Sequence, residues 1–106
     1  MNNIEQINKM SFFYKVGVMC GNTLLTTYKF DDFEKMMKEL SDISNKHKSD
    51  MQRCAFVIQA FKDNTYDFKN SCFCQMRIKV NGIEERKDAV ASRILHEFEE
   101  RCGEND

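Results

Sequence analysis

The sequence predicts an α+β fold: a two-layer sandwich with a four-stranded, largely antiparallel sheet and two helices on one of its faces. Three observations lead there. Four stretches alternate apolar and polar residues with period two. Two stretches repeat apolar residues with the helical period. The stretches follow one another in the order β-β-α-β-β-α. At 106 residues the chain is the length of one domain, residues 1–106. It divides into two ββα units, about 12–48 and 52–102, each with a hairpin turn ending Asn-Thr.

Ile4, Ile7 and Met10 stand three apart, which predicts a short N-terminal helix. From Phe12 the period becomes two. Phe12, Tyr14, Val16, Val18 and Cys20 form one face of a first strand, and Phe13, Lys15, Gly17 and Met19 the other. Gly21-Asn22-Thr23 is turn chemistry. Leu24, Thr26, Tyr28 and Phe30 continue the alternation in a second strand. Keeping both apolar sets on one face needs an odd loop, so a three-residue turn is expected.

The first long helix opens with Asp31 as its expected cap, and Glu34 three residues on completes a capping-box arrangement. Phe33, Met36, Met37, Leu40 and Ile43 make a narrow apolar stripe. Lys46, His47 and Lys48 suit the negative end of the helix dipole. A third strand is expected over about 53–62, with Cys54, Phe56, Ile58 and Ala60 on one face. Asp63-Asn64-Thr65 makes the next turn. A fourth strand covers about 66–80 and is broken near Asn70-Ser71; Cys72, Cys74, Met76, Ile78 and Val80 form its apolar face. After Asn81-Gly82 the chain either folds back through Ile83-Glu84-Glu85 or enters the last helix directly. That helix covers 88–101, with Val90, Ala91, Ile94, Leu95, Phe98 and Cys102 on its apolar side and Gly103 as its stop.

Composition limits the function. Hydrophobic residues are 42% and charged residues 31%, which describes a globular chain and not a disordered one. No run approaches the ~18 apolar residues of a membrane span. The start, Met1-Asn2-Asn3-Ile4-Glu5-Gln6, lacks the pattern of a secretory signal. A cytoplasmic protein is therefore expected, and one that does not engage membranes. Residues 97–106 carry −4, so the other 96 carry +3 against a chain total of −1: a mildly basic body with an acidic end, frayed over 103–106. Frequent lysine and asparagine, whose codons are AT-rich, with only five arginines, point to an AT-rich genome such as a low-GC bacterium or a phage.

Five cysteines cannot pair fully within one chain, and reduced thiols are expected. Cys72 and Cys74 share a strand face. A three-residue second turn would set Cys54 opposite Cys74 and cluster three thiols, best read as core cysteines. Their spacing does not fit the knuckles of structural zinc, so no metal is expected. His96 has Arg93, Glu99 and Glu100 within helical reach, which reads as an exposed ion pair. Phosphate-cradling glycine loops, nucleophile elbows and the paired-histidine zinc motif are absent. No catalytic residue and no cofactor are expected.

The face that the helices do not cover is the informative one. Strand parity assigns to it Phe13, Lys15, Gly17 and Met19, then Leu25, Thr27 and Lys29. The third strand adds Arg53, Ala55, Val57, Gln59 and Phe61, and the fourth Lys69, Phe73, Gln75, Arg77 and Lys79. That face holds three phenylalanines, six cations and, within those spans, no anion. Aromatics and arginine among polar groups suit a protein interface, with a homodimer or a separate target. The same phenylalanines and cations would also serve to stack bases and hold phosphates, so a nucleic-acid regulator is the second reading. The expected function is a small non-enzymatic protein-binding module. Its specific form is an accessory or phage-type inhibitor that blocks a host protein, of the anti-CRISPR kind. On this reading Phe73→Asp and Arg77→Glu damage binding and spare the fold.

Overall fold

Two hairpins lie side by side and share one sheet. The structure, a computed structural model, describes residues 2–47 and 52–103. Strands β1 (Phe13–Cys20) and β2 (Thr23–Phe30) form the first hairpin, β3 (Cys54–Phe61) and β4 (Cys72–Lys79) the second. The sheet order is β2-β1-β3-β4, and every neighbouring pair is antiparallel. The helices α1 (Asn3–Asn8), α2 (Phe33–Lys46) and α4 (Lys87–Phe98) pack on one side, while α3 (Phe68–Ser71) is a single turn between β3 and β4. The α+β sandwich with the order β-β-α-β-β-α is the observed fold, and the short N-terminal helix is present.

The core lies where alternation puts it. Tyr14, Val16, Val18, Phe56, Ile58, Ala60, Cys74 and Met76 are buried from the sheet side. Phe33, Met36, Met37 and Leu40 meet them from α2, and Val90, Ala91, Ile94 and Leu95 from α4. Ile7 of α1 is 1% exposed and completes the same cluster. α1 carries a full capping box: Glu5 N–H donates to Asn2 Oδ1 at 2.8 Å, and Asn2 N–H to Glu5 Oε1 at 3.2 Å.

Three local expectations are corrected. The first turn has two residues, not three: Cys20 pairs directly with Thr23. Gly21 takes φ +63, the conformation that a two-residue hairpin of this kind asks of its first residue. Parity is restored further on, by a bulge at Leu24-Leu25. Met19 pairs with Leu24 and Val18 with Thr26, so Thr26, Tyr28 and Phe30 keep to the helix side while Leu24 shares the opposite face with Met19. The cap of α2 is Asp32, not Asp31; its carboxylate accepts from Lys35 N–H at 2.9 Å. The fourth strand begins at Cys72, because Asp67 caps α3 and Ser71 N–H donates back to the Asp67 carbonyl. Past Gly82, at φ +77, the chain goes directly through a 3₁₀ turn, Glu84–Arg86, into α4. α4 continues as a π-helical turn over Glu99–Gly103. Lys48 and residues 104–106 lie outside the described residues.

Glu34, not engaged in a capping box, ties the helix layer together. It pairs with Lys87 at the start of α4 and accepts from Asn8 Nδ2 of α1 at 3.0 Å. The Lys87 hydrogen bond, then that of Asn8, holds its carboxyl below the usual 4.5. A carboxyl depressed in the folded state stabilises above its unfolded value and loses that contribution as pH falls through its folded one. The side chains of Lys87 and Glu34 are 35% and 41% exposed, so solvent screens the pair and the contribution is at most about 1 kcal/mol. Glu34→Gln is therefore expected to lower the urea midpoint at pH 7 and to leave a smaller loss between pH 5 and pH 3 than wild type shows.

Candidate interaction face

The sheet registers lay the uncovered face out as rows. One row reads Lys29, Lys15, Gln59, Gln75 across the four strands. The next reads Thr27, Gly17, Val57, Arg77, and the one after it Leu24, Met19, Ala55, Lys79. Gln59 Nε2 donates to Gln75 Oε1 at 2.7 Å and closes the first row on its right. No acidic residue stands in any row.

Gly17 floors a shallow groove of about 350 Å³ lined by Lys15, Met19, Leu24, Thr27, Val57 and Gln59. A Cβ on Gly17 would come within 3.0 Å of Leu24 Cδ1, so a side chain there would displace the leucine that leans across it. Leu24 and Leu25 are 56% and 54% exposed, high values for leucines within a strand. The bulge brings both about: it moves Leu24 to this side and leaves Leu25 as the inserted residue.

Lys15 and Lys29 stand directly opposite each other on this face. Like charges so placed repel. Lys29 finds partial relief over the Tyr66 ring, 4.7 Å from its centroid.

Tyr66 is the residue that sequence reasoning missed. It sits at φ +54, the left-handed region that bulky side chains rarely occupy. From there its ring covers Phe61 at 5.3 Å and reaches Phe13 at 6.2 Å, and its hydroxyl donates to the Phe30 carbonyl at 3.3 Å. The turn before it is fixed by Asp63, which accepts from Thr65 N–H and Oγ1. Those hydrogen bonds hold the exposed Asp63 carboxyl below its usual range. Asp63-Asn64-Thr65 signals the turn; nothing in the sequence signals the fold-back of the tyrosine.

Comparison of the chain with protein-family models, with curated proteins and with solved structures finds no match. Any functional argument therefore rests on the face itself. Of the nine residues that the sequence singles out for it, Lys15, Lys29, Arg77 and Lys79 are in the rows. Phe13 is half-buried beneath Tyr66. Phe61 is on this side but 1% exposed, roofed by Tyr66. Arg53 precedes β3 in a turn, and Lys69 belongs to α3, so neither joins the rows.

Phe73 is the largest correction. A second bulge pairs Ala60 with Cys74 and Phe61 with Cys72, so Phe73 is the inserted residue. It turns into the core, 2% exposed, with its ring 4.8 Å from Phe12 and 5.1 Å from Phe98. The three expected stacking platforms are therefore reduced to one half-buried ring.

The thiols also rearrange. Cys54 lies at the far end of β3 from Cys74, opposite Cys20, with the two Cα atoms 4.3 Å apart and the sulfurs joined as a disulfide. Cys72, Cys74 and Cys102 are free. Burial, followed by the charge of Glu97, pushes Cys74 up to about 11, and burial raises Cys72 as well. Protonated thiols of this kind are poor nucleophiles. Among the described residues no group of three His, Cys, Asp or Glu side chains could hold a metal ion, and no helix is long and apolar enough to cross a membrane. His96 forms the expected exposed pair with Glu100, at 3.6 Å.

Proposed function

We propose that this chain is a small protein-binding module that works through the uncovered face of its sheet, and that its partner presents acidic side chains around an apolar contact. The observation that carries the reading is the Lys15–Lys29 juxtaposition beside an exposed apolar groove on an anion-free face. Two opposed ammonium groups cost the free protein stability. A partner carboxylate between them turns that cost into attraction, while Met19, Leu24 and Val57 supply the apolar contact. An accessory inhibitor that blocks a host protein, of the anti-defence kind, is the specific form we favour on the chain's size and its lysine- and asparagine-rich, arginine-poor composition. The burial of Phe61 and Phe73 weighs against base stacking by this face as the main mode of binding.

Lys15→Glu tests this in two measurements with opposite signs. Removing the repulsion is expected to raise the free protein's stability by about 0.5 kcal/mol. Capture of a partner by the tagged protein from nuclease-treated bacterial lysate is expected to be lost. Capture that survives the substitution overturns the assignment of the face. Capture that depends on intact nucleic acid overturns the choice of a protein partner.

A further inference from the structure

A cleft of about 420 Å³ opens between α3, the first half of β4 and α4 with its π-helical extension. That volume falls within the range of small-ligand sites, roughly 300–1,000 Å³. Phe68 and Lys69 line it from α3, Cys72 from β4, and Arg93, Glu97 and Arg101 from α4 and its extension. The last three recur every fourth residue and so share one side of the helix.

Two features of this cleft are unusual for an idle surface. The first is Phe68. All nine phenylalanines are among the described residues, and Phe68 alone is exposed, at 59%. Its turn is firmly fixed: Asp67 Oδ1 accepts from Lys69 N–H at 3.1 Å, and Ser71 N–H donates to the Asp67 carbonyl at 2.8 Å. An apolar ring is thus held in solvent at the mouth of the cleft. The second is charge. Three cations, Lys69, Arg93 and Arg101, stand against one carboxylate, Glu97, and leave a surplus of two. That carboxylate is already partnered, since Arg101 Nε donates to Glu97 Oε1 at 3.0 Å. Both guanidinium groups come within electrostatic reach of the Cys74 thiol, so they converge on the same wall.

We propose that this cleft binds a nucleoside monophosphate, with the base stacked on Phe68 and the phosphate held by Lys69, Arg93 and Arg101. The charge selects the acidic group. A phosphate monoester carries about −1.5 to −2 at pH 7, which matches the surplus of two, whereas a single carboxylate leaves a cation unmatched. Guanidinium groups also suit phosphate oxygens in a paired, directional way. The exposed ring selects a planar body, because an aromatic face stacks on a base whatever its identity. This site stands apart from the uncovered sheet face, and its failure would leave that reading untouched.

The test is a titration of the wild-type protein with each of the four ribonucleoside monophosphates, followed by amide NMR shifts. For the tightest of them a Kd below ~1 mM is expected, with inorganic phosphate and the parent nucleoside each at least about tenfold weaker. Shifts should concentrate at Phe68, Cys72, Arg93 and Arg101 and spare Val57 and Lys29 on the sheet face. Phe68→Ala should weaken binding at least about fivefold through lost stacking. Arg93→Gln should weaken it at least about tenfold through a lost charged hydrogen bond. Both side chains are exposed, so each variant is expected to keep the wild-type urea midpoint. No binding of any of the four by ~10 mM overturns the proposal. So does inorganic phosphate or the nucleoside binding as tightly as the nucleotide, or a shift map centred on the sheet face. Folded variants that both bind as wild type overturn it too. Should a variant fail to fold, the wild-type map and the phosphate and nucleoside comparisons decide alone.

Discussion

Phe73→Asp is expected to unfold the protein, whereas Arg77→Glu, four residues along the same strand, leaves it folded. Phe73 is 2% exposed and packs between Phe12 and Phe98, where β1 and β4 meet the end of α4. Truncating a buried phenylalanine costs about 3–5 kcal/mol. A carboxylate left in that site adds a desolvation cost of several more. Together these approach or exceed the roughly 5–15 kcal/mol by which a whole domain is stable. Arg77 is exposed, and its Nη2 reaches only the Gly21 carbonyl, at 3.4 Å. Its replacement is expected to shift stability by no more than about 0.5 kcal/mol. Far-UV circular dichroism and a urea melt separate the two. A Phe73→Asp protein with a wild-type midpoint would show that the bulge does not carry this ring into the core.

The second large effect is expected at the disulfide. Cys20 and Cys54 are 34 residues apart and close a loop that contains β2 and α2. Restricting the unfolded chain by a loop of that length is worth roughly 3–4 kcal/mol. Cys20→Ser should lower stability by about that amount under non-reducing conditions. Dithiothreitol should bring the wild type down to the level of the variant and leave the variant unmoved. A wild type insensitive to reductant would mean that the bond contributes nothing to the folded state in solution.

The fold was legible because its determinants are local. Alternation in Tyr14-Val16-Val18 and in Phe56-Ile58-Ala60 marks strands with one buried face, and the stripe Met36-Met37-Leu40 marks a helix with one. The candidate face was legible only in part, because its composition depends on two bulges. Each falls where consecutive apolar residues, Leu24-Leu25 and Cys72-Phe73, interrupt the alternation. Such a break shows that one residue is extra. Which residue turns inward is decided by what it meets, and for Phe73 that is Phe12 and Phe98, distant in sequence. The parity argument for the first hairpin was sound in arithmetic, but the extra residue lies in the strand and not in the turn. Cys20 meets Cys54 because β1 lies beside β3, and strand order is not written in any single segment. Tyr66 escaped notice because it reads as the start of a strand, while its role depends on leaving the strand path altogether.

The placement of the two hairpins also governs how the chain assembles. Within each hairpin the strands can zip from their own turn, on a timescale of about microseconds. The seam between β1 and β3 is different: Phe13 must find Phe61, and Cys20 must find Cys54, across most of the intervening chain. Loop closure on that scale loses entropy before any contact offsets it, and non-local pairing of this kind slows folding. Neither hairpin has a core of its own, since the residues that α2 and α4 cover come from both. The β1–β3 seam, where Val16 meets Ile58, is therefore the pairing that each hairpin needs to gain a core and that neither turn can bring about by itself.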